Sequence, residues 1–455
     1  MNIGLVGWGI ETRSAFRYFG DQHNYLIVSE EPRDDFPTGK NITLQNNKPK
    51  RKPGLTGNAP DLSYLKGIEN CDKVIYTPVA RKILEKVYPD NHALWQKTKS
   101  TTEIFFEESP TNNIIGVTGT KGKGTTSSLI AKLLEAGDET VHLGGNIGIA
   151  ALDLLPKIKE SDWVVLEMSN FQLYKFPYSP HIAVHLMVVP EHIAEWHLEF
   201  DDYKNAKANI FAHQTADDVA IYLPTNKFST SNAETSPGRH LPYMKPPGAH
   251  VENGWIVMDG RKIISTSDVG LLGAHNLENI CAAVTATWQI HQNIDVIAKT
   301  IQDFKGLEHR LQLVRELHGI KYYDDSFGTT PDTAMVAMKS FAQPKVMIIG
   351  GHDKNNDFSE LVKRLGDDDI RSIIVIGSMT DKIIKLAKSY DIPAAKFQSK
   401  EDGNSWTMKE IVSAATDAAK PGDIVLLSAG TSSFGIFKDY KDRGNQFAKI
   451  VNQLV

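Results

Sequence analysis

Cysteine is almost missing from this chain: Cys71 and Cys281 are the only two, far apart and without the spacing of a metal-thiolate site. That excludes a disulfide-stapled scaffold and predicts two reduced, packed thiols in a cytoplasmic protein. No stretch approaches the roughly 20 apolar residues of a membrane span, and the opening MNIGLVGWGIE has no basic segment ahead of a long apolar core. A soluble protein without a membrane partner is expected. Neither sign of charge dominates, since fifty Lys and Arg stand against fifty-five Asp and Glu for a balance of −5. There is accordingly no electrostatic footprint for nucleic acid, and any phosphate binding must be local. With 455 residues the chain exceeds a single core, and at about 150 residues per domain three domains are expected.

What is present centres on residues 114–126, IIGVTGTKGKGTT. The apolar run reads as a buried strand that breaks into a glycine-rich turn, and Leu129, Ile130, Leu133 and Leu134 then recur at helical spacing. A turn of this kind opening a helix aims backbone N–H groups at an anion, and Lys123 adds a charge for the outer phosphates of a nucleotide. The strict phosphate-loop pattern places Ser or Thr directly after the lysine, whereas here Gly124 precedes Thr125 and Thr126. Glycine-rich strand-to-helix turns also arise for steric reasons alone.

The chain opens on a Rossmann-like strand at residues 3–6, the turn Gly7-Trp8-Gly9 and a helix from about Thr12. The dinucleotide fingerprint is incomplete, because Thr12 stands at the third glycine position. A second strand is expected at 25–29, and a third at 73–76 ends in Thr77-Pro78. Residues 37–60, rich in Asn, Lys, Gly and Pro, read as a long surface loop whose cluster Lys48, Lys50, Arg51 and Lys52 is solvated.

After the phosphate loop, a strand at 163–166 ends in Glu167, where a hard magnesium ion shared with phosphates would find a carboxylate. The next strand, 181–189, runs into Glu191 and His192, and a helix with Asp201 and Asp202 in its first turn carries Lys207, which also reads as an ordinary surface lysine. Residues 219–266 suggest a small β extension. Asn276 and Asn279 share a face at the start of an alanine-rich helix. Beyond Gly306, strands at 320–323, 346–349, 373–376 and 424–427 alternate with helices and predict a parallel α/β sheet. Polar clusters sit at the carboxyl ends of three of them, where open α/β sheets bind ligands.

Several segments, in order, resemble the Mur ligase family of ATP-dependent amide-forming enzymes: GGNIG (144–148), LEMSNFQL (166–173), YKNAKANIF (203–211), GAHNLEN (273–279), EHR (308–310), DDSFGTTP (324–331) and KDYKDRGNQFA (438–448). The resemblance covers nearly the whole chain and implies an α/β protein of three domains. These are a Rossmann-like UDP-substrate domain at 1–97, a central ATPase-like domain at 98–306, and a Rossmann-like amino-acid domain at 307–455. Within the family it points to the activity that adds D-glutamate to UDP-N-acetylmuramoyl-L-alanine, using ATP and Mg²⁺ through an acyl phosphate, in peptidoglycan synthesis. A monomer acting on small molecules is implied.

By resemblance, Gly9, Ile10 and Glu11 hold the UDP group, and Asn146, Ser169 and Gln172 face the muramoyl substrate. Gly119, Thr120, Lys121, Gly122, Lys123, Gly124 and Thr125 bind the ATP phosphates, and Asn279, Arg310 and Asp325 take adenine, phosphate and ribose. Thr125, Glu167, His192 and a carbamylated Lys207 are the implied metal ligands, and Lys354, Thr329, Ser433 and Tyr440 hold the amino acid. Lys121, Gly124, Phe327, Tyr440 and Met187 depart from the family's usual residues. The Lys121 and Gly124 spelling is nearer to folylpolyglutamate synthase, the rival ligase. The rival of another class is a non-catalytic nucleotide-binding relative.

Overall fold

Parallel strands covered by helices on both faces are apolar along their whole length, and the five residues of Ile114–Thr118 are all buried. The computed structural model describes residues 1–30, 36–46, 62–189, 199–271, 273, 275–353 and 357–455. It divides into two compact units, Met1–Val269 with Ala274–Phe304, and Gly270–Gly273 with Lys305–Val455.

The first unit contains two parallel sheets. Strands β1 (Asn2–Val6), β2 (Asn24–Ser29), β3 (Ile42–Asn46), β4 (Lys73–Tyr76) and β5 (Thr98–Ser100) lie in the order β3-β2-β1-β4-β5. The sheet thus takes in residues beyond Lys97. Strands β6 (Ile114–Thr118), β7 (Val141–Gly145), β8 (Trp163–Glu167), β9 (Ile182–His185), β10 (Val219–Tyr222) and β11 (Arg239–Pro242) lie in the order β11-β10-β9-β6-β8-β7. The chain leaves β1 and β6 in opposite directions across their sheets, so each stands at a topological switch point, where a crevice opens at the carboxyl end. Strands β12 (His250–Glu252), β13 (Trp255–Met258) and β14 (Arg261–Ser265) form a small antiparallel sheet. Polar contacts tie the two parallel sheets together: Arg17 pairs with Asp153, Lys82 with Asp202, and Glu85 with Tyr174 and Lys175.

In the second unit β15 (Gln312–Leu317), β16 (Ile320–Asp324), β17 (Lys345–Gly350), β18 (Ile370–Ile376), β19 (Phe397–Gln398) and β20 (Ile424–Leu427) form one sheet in the order β15-β16-β20-β17-β18-β19. Apolar clusters pack on both its faces.

Two expectations are corrected. The segment read as a long surface loop carries β3, an edge strand whose residues are only partly buried. The expected β extension begins with β10 and β11, which join the large parallel sheet, and only residues 250–265 form a separate antiparallel piece. The basic cluster at Lys48, Lys50, Arg51 and Lys52 lies outside the described residues.

Candidate active site

The phosphate loop begins where β6 ends. Gly119 has φ +149°, and a Cβ there would lie 2.6 Å from Leu186 Cβ; Gly122, at φ +86°, has Asn279 Oδ1 where its Cβ would go. Both positions therefore require glycine, one for contact with the chain after β9, the other for the left-handed cap of the helix Lys123–Ala136. The helix starts at Lys123 itself, so Lys123, Gly124 and Thr125 supply its first-turn N–H groups. Thr120 fastens the loop on one side: its N–H donates to Met187 O at 2.8 Å, its Oγ1 donates to Val189 O at 3.1 Å, and that oxygen lies 3.0 Å from the Tyr203 hydroxyl. Lys121 is exposed and Thr125 buried.

Two lysines converge on one carbonyl of this loop. Lys123 Nζ donates to Gly119 O at 3.1 Å and Thr120 O at 3.0 Å, while Lys207 Nζ donates to Gly119 O at 2.8 Å. Lys207 is 1 % exposed, which overturns its reading as an ordinary surface lysine. Its ammonium also lies 4.8 Å from the Tyr203 ring centroid. Burial first, and the Lys207 charge second, push the pKa of His185 down to about 3. Asn232 Nδ2 lies 3.1 Å from His185 Nε2 and Leu186 O lies 3.0 Å from Nδ1, so the neutral ring carries its proton on Nδ1. His185 and Asn232 escaped the sequence reading; His185 is revealed by its closeness to Lys207, and Asn232 by its contact with His185.

Glu167 sits at the tip of β8, beside β6, with Val117 as its partner in the ladder. It is buried, and its Oε1 accepts from Asn146 Nδ2 at 2.6 Å, while Asn146 N–H donates to Glu167 O at 2.8 Å. Two residues on, Ser169 and Gln172 form a reciprocal capping box at the start of the short helix Asn170–Leu173. Gln172 Nε2 donates to Glu11 Oε1 at 2.7 Å, and Thr101 Oγ1 donates to Glu11 Oε2. Burial outweighs these donors and raises the Glu11 pKa to about 7. Gly9 caps the helix Ile10–Phe19, and Ile10 is exposed. On the helix His275–Thr287, Asn279 donates to Asn276 Oδ1 at 2.8 Å and accepts from Thr126 Oγ1 at 3.4 Å. His192 lies outside the described residues. Among the described residues no three His, Cys, Asp or Glu side chains gather as a metal cluster.

The second unit, taken by itself, has a strained segment of its own. His309 and Leu311, flanking Arg310, have φ of +63° and +44°, a region that costs a non-glycine residue about 1–3 kcal/mol. The segment is pinned by His309 Nδ1 to Asp324 Oδ2 at 2.7 Å, by Phe327 N–H to His309 O at 2.9 Å, and by Leu311 N–H to Asp325 Oδ1 at 3.3 Å. Arg310 stands 5.8 Å from the Phe327 ring centroid, and Tyr440 meets Phe327 edge-on at 5.3 Å. Burial raises the Asp325 pKa to about 7 although Ser428 Oγ donates to it at 2.7 Å. Thr329 and Tyr440 are half-buried and Ser433 is buried; Lys354 lies outside the described residues. The His309 pairing and the fully buried Arg443, which donates to Ser326 Oγ at 2.8 Å and Ser326 O at 2.9 Å, were not anticipated.

Comparison with known proteins places this geometry among relatives. The family described as the Mur ligase middle domain matches residues 117–287, and the one described as the Mur ligase, glutamate ligase domain matches residues 309–430. A UDP-N-acetylmuramoylalanine--D-glutamate ligase of Acetivibrio thermocellus is 34 % identical, covering 86 % of this chain and 84 % of its own. The protein of that name from Caldanaerobacter subterraneus is 33 % identical over 75 % of each chain. Among solved structures, the MurF ligase of Thermotoga maritima in complex with ADP superposes with a TM-score of 0.56 at 16 % identity, covering 99 % of this chain and 95 % of its own.

Proposed function

The chain belongs to the Mur ligase family, and we propose that it is the ATP-dependent ligase that joins D-glutamate to UDP-N-acetylmuramoyl-L-alanine. The observation that carries this reading is the phosphate loop, in which a half-buried Lys123 and a buried Lys207 meet at the Gly119 carbonyl. ATP is a substrate: its γ-phosphoryl group passes to the terminal carboxylate of the UDP-linked substrate, giving an acyl phosphate. The amine of glutamate then attacks the acyl carbon and phosphate leaves. Both steps gather negative charge on oxygens, which Lys123 and the first-turn N–H groups of its helix are placed to stabilise.

The side chains suit a divalent cation. Glu167 is buried with Asn146 on Oε1, and among the described residues no donor is bound to Oε2, which leaves the oxygen that a hard ion takes. We assign Mg²⁺ to Glu167 and Thr125, with His192 and Lys207 as further ligands. When bound, the ion screens the charge on the phosphoryl oxygens. Lys207 serves as a ligand only in modified form, because an ammonium repels a cation. Its free amine adds to CO₂, forming an N–C bond and releasing a proton. The carbamate keeps an N–H that can still donate to Gly119 O. Incubation with ¹³C-bicarbonate should give a carbamate carbon signal that Lys207→Ala lacks, and a short-chain carboxylate should restore part of that variant's activity. An unmodified Lys207 with a fully active alanine variant would remove this assignment.

Gly9 and Ile10 are assigned to the UDP group, while Glu11, which the resemblance groups with them, turns inward onto Gln172. Asn146, Ser169 and Gln172 are assigned to the muramoyl side, and Asn279, Arg310 and Asp325 to adenine, phosphate and ribose. Lys354, Thr329, Ser433 and Tyr440 take the amino acid. In this reading the enzyme is a cytoplasmic monomer supplying peptidoglycan precursors, and so supports cell shape and division. The first sheet, with its own crevice at β1 ahead of the phosphate loop, favours a UDP-linked acceptor over a folate. The test is phosphate release from ATP with UDP-N-acetylmuramoyl-L-alanine and either D- or L-glutamate. Release that needs neither the UDP substrate nor D-glutamate overturns the assignment.

A further inference from the structure

A carboxylate in the first turn of the helix Ile10–Phe19, if turned toward a diphosphate, would repel it. Glu11 turns inward instead and is only 7 % exposed. Its two oxygens have different partners: Oε1 accepts from Gln172 Nε2 at 2.7 Å, and Oε2 accepts from Thr101 Oγ1. Thr101 begins the helix that follows β5, so one carboxylate joins two parts of the first sheet to the second. The Gln172 amide has a single admissible orientation. Its Oε1 accepts from Ser169 N–H at 2.9 Å, and Nε2 must then be the atom that faces Glu11. Ser169 Oγ in turn accepts from Gln172 N–H at 3.2 Å, closing the cap. This cap begins two residues after Glu167, whose side chain accepts from Asn146.

We propose that Glu11 is a positioning residue, tying the first sheet to the capped turn after β8 and so holding Glu167 and Asn146 in register, without touching the diphosphate itself. A side chain that met the diphosphate would need to project from the mouth of the β1 crevice. The Glu11 carboxylate is spent on a glutamine and a threonine, both inside the protein. The three ion pairs and hydrogen-bonded links between the same two sheets lie toward the surface, with Arg17 and Lys175 about half exposed. Among these contacts, the Glu11 bridge is made by a buried carboxylate to the capping glutamine itself.

The inference rests on the ligase reading for its kinetic test. Glu11→Ala should lower kcat at least tenfold while the KM for the UDP substrate moves less than threefold. Glu11→Gln should recover most of kcat, since its amide oxygen can accept from Gln172 while its NH₂ donates to the Thr101 hydroxyl. A tenfold rise in that KM in both variants would make Glu11 a substrate contact and overturn the proposal, as would an alanine variant with the parent's kcat. If the parent enzyme shows no ligase turnover, that failure belongs to the functional reading. The tie itself is then read by urea unfolding of Glu11→Ala, Gln172→Ala and the double variant, with Thr101→Val replacing Glu11→Ala if the latter does not fold. Losses that simply add would overturn it; a double variant no worse than the worse single one supports it.

Discussion

Lys123 rests on two backbone carbonyls and packs in no core, so its removal should cost chemistry and spare the fold. Lys123→Ala is expected to lower kcat about 10²–10³-fold, the scale of losing one preorganised charge partner, with a thermal midpoint close to the parent's. Phosphate release and a melting curve check the two halves separately. Glu11 makes a different prediction because its pKa rises on folding from 4.5 to about 7. A group whose pKa is raised by folding contributes stability that is complete below the unfolded value and is lost as pH climbs through the folded one. The parent should therefore lose stability relative to Glu11→Gln between about pH 4.5 and pH 7, measured by urea unfolding at several pH values. Residues of this kind mark the limit of what a sequence displays. Glu167 was legible because it ends an apolar strand, and Lys123 because a single glycine-rich turn separates it from one. The burial of Lys207 was not, because the carbonyl it reaches belongs to Gly119, and the partners of Glu11 belong to segments that only the fold brings together.

At the scale of elements, the phosphate loop is fixed by what its glycines cannot become. Gly122→Ala would add a Cβ at φ +86° against Asn279 Oδ1, and the strained backbone alone costs about 1–3 kcal/mol. The variant should lower the unfolding midpoint and weaken ATP binding together, as seen by melting curves with and without nucleotide. Trimming Asn279 in the same chain should relieve the clash but leave the strain. The central strands could be read from the sequence because both faces are buried and the apolar run is unbroken. Edge strands could not: β3 is ITLQN, partly exposed, and sits in a segment full of loop-forming residues, while β15 is QLVREL, with no buried residue. Such strands are held by pairing to a neighbour, which local composition does not report.

For the whole molecule, the division into two units predicts two calorimetric transitions rather than one. Arg443→Met tests this, because Arg443 is fully buried and donates to the carbonyls of Ser326 and Thr431. Unpaired buried acceptors cost about 1–3 kcal/mol each, so the transition of the second unit should fall while that of the first stays in place.

The strand order of the second unit also constrains when it can form. Strand β20 lies between β16 and β17, and Arg443 anchors the turn after β16 from the last helix. As the chain leaves the ribosome at about 5–20 residues per second, the first unit has all its residues once Phe304 has emerged. The second must wait with a gap in the middle of its sheet. For those seconds β16 and β17 expose unpaired, strongly apolar edges, and a nascent chain stalled between residues 350 and 424 is the form of this protein that most needs a chaperone.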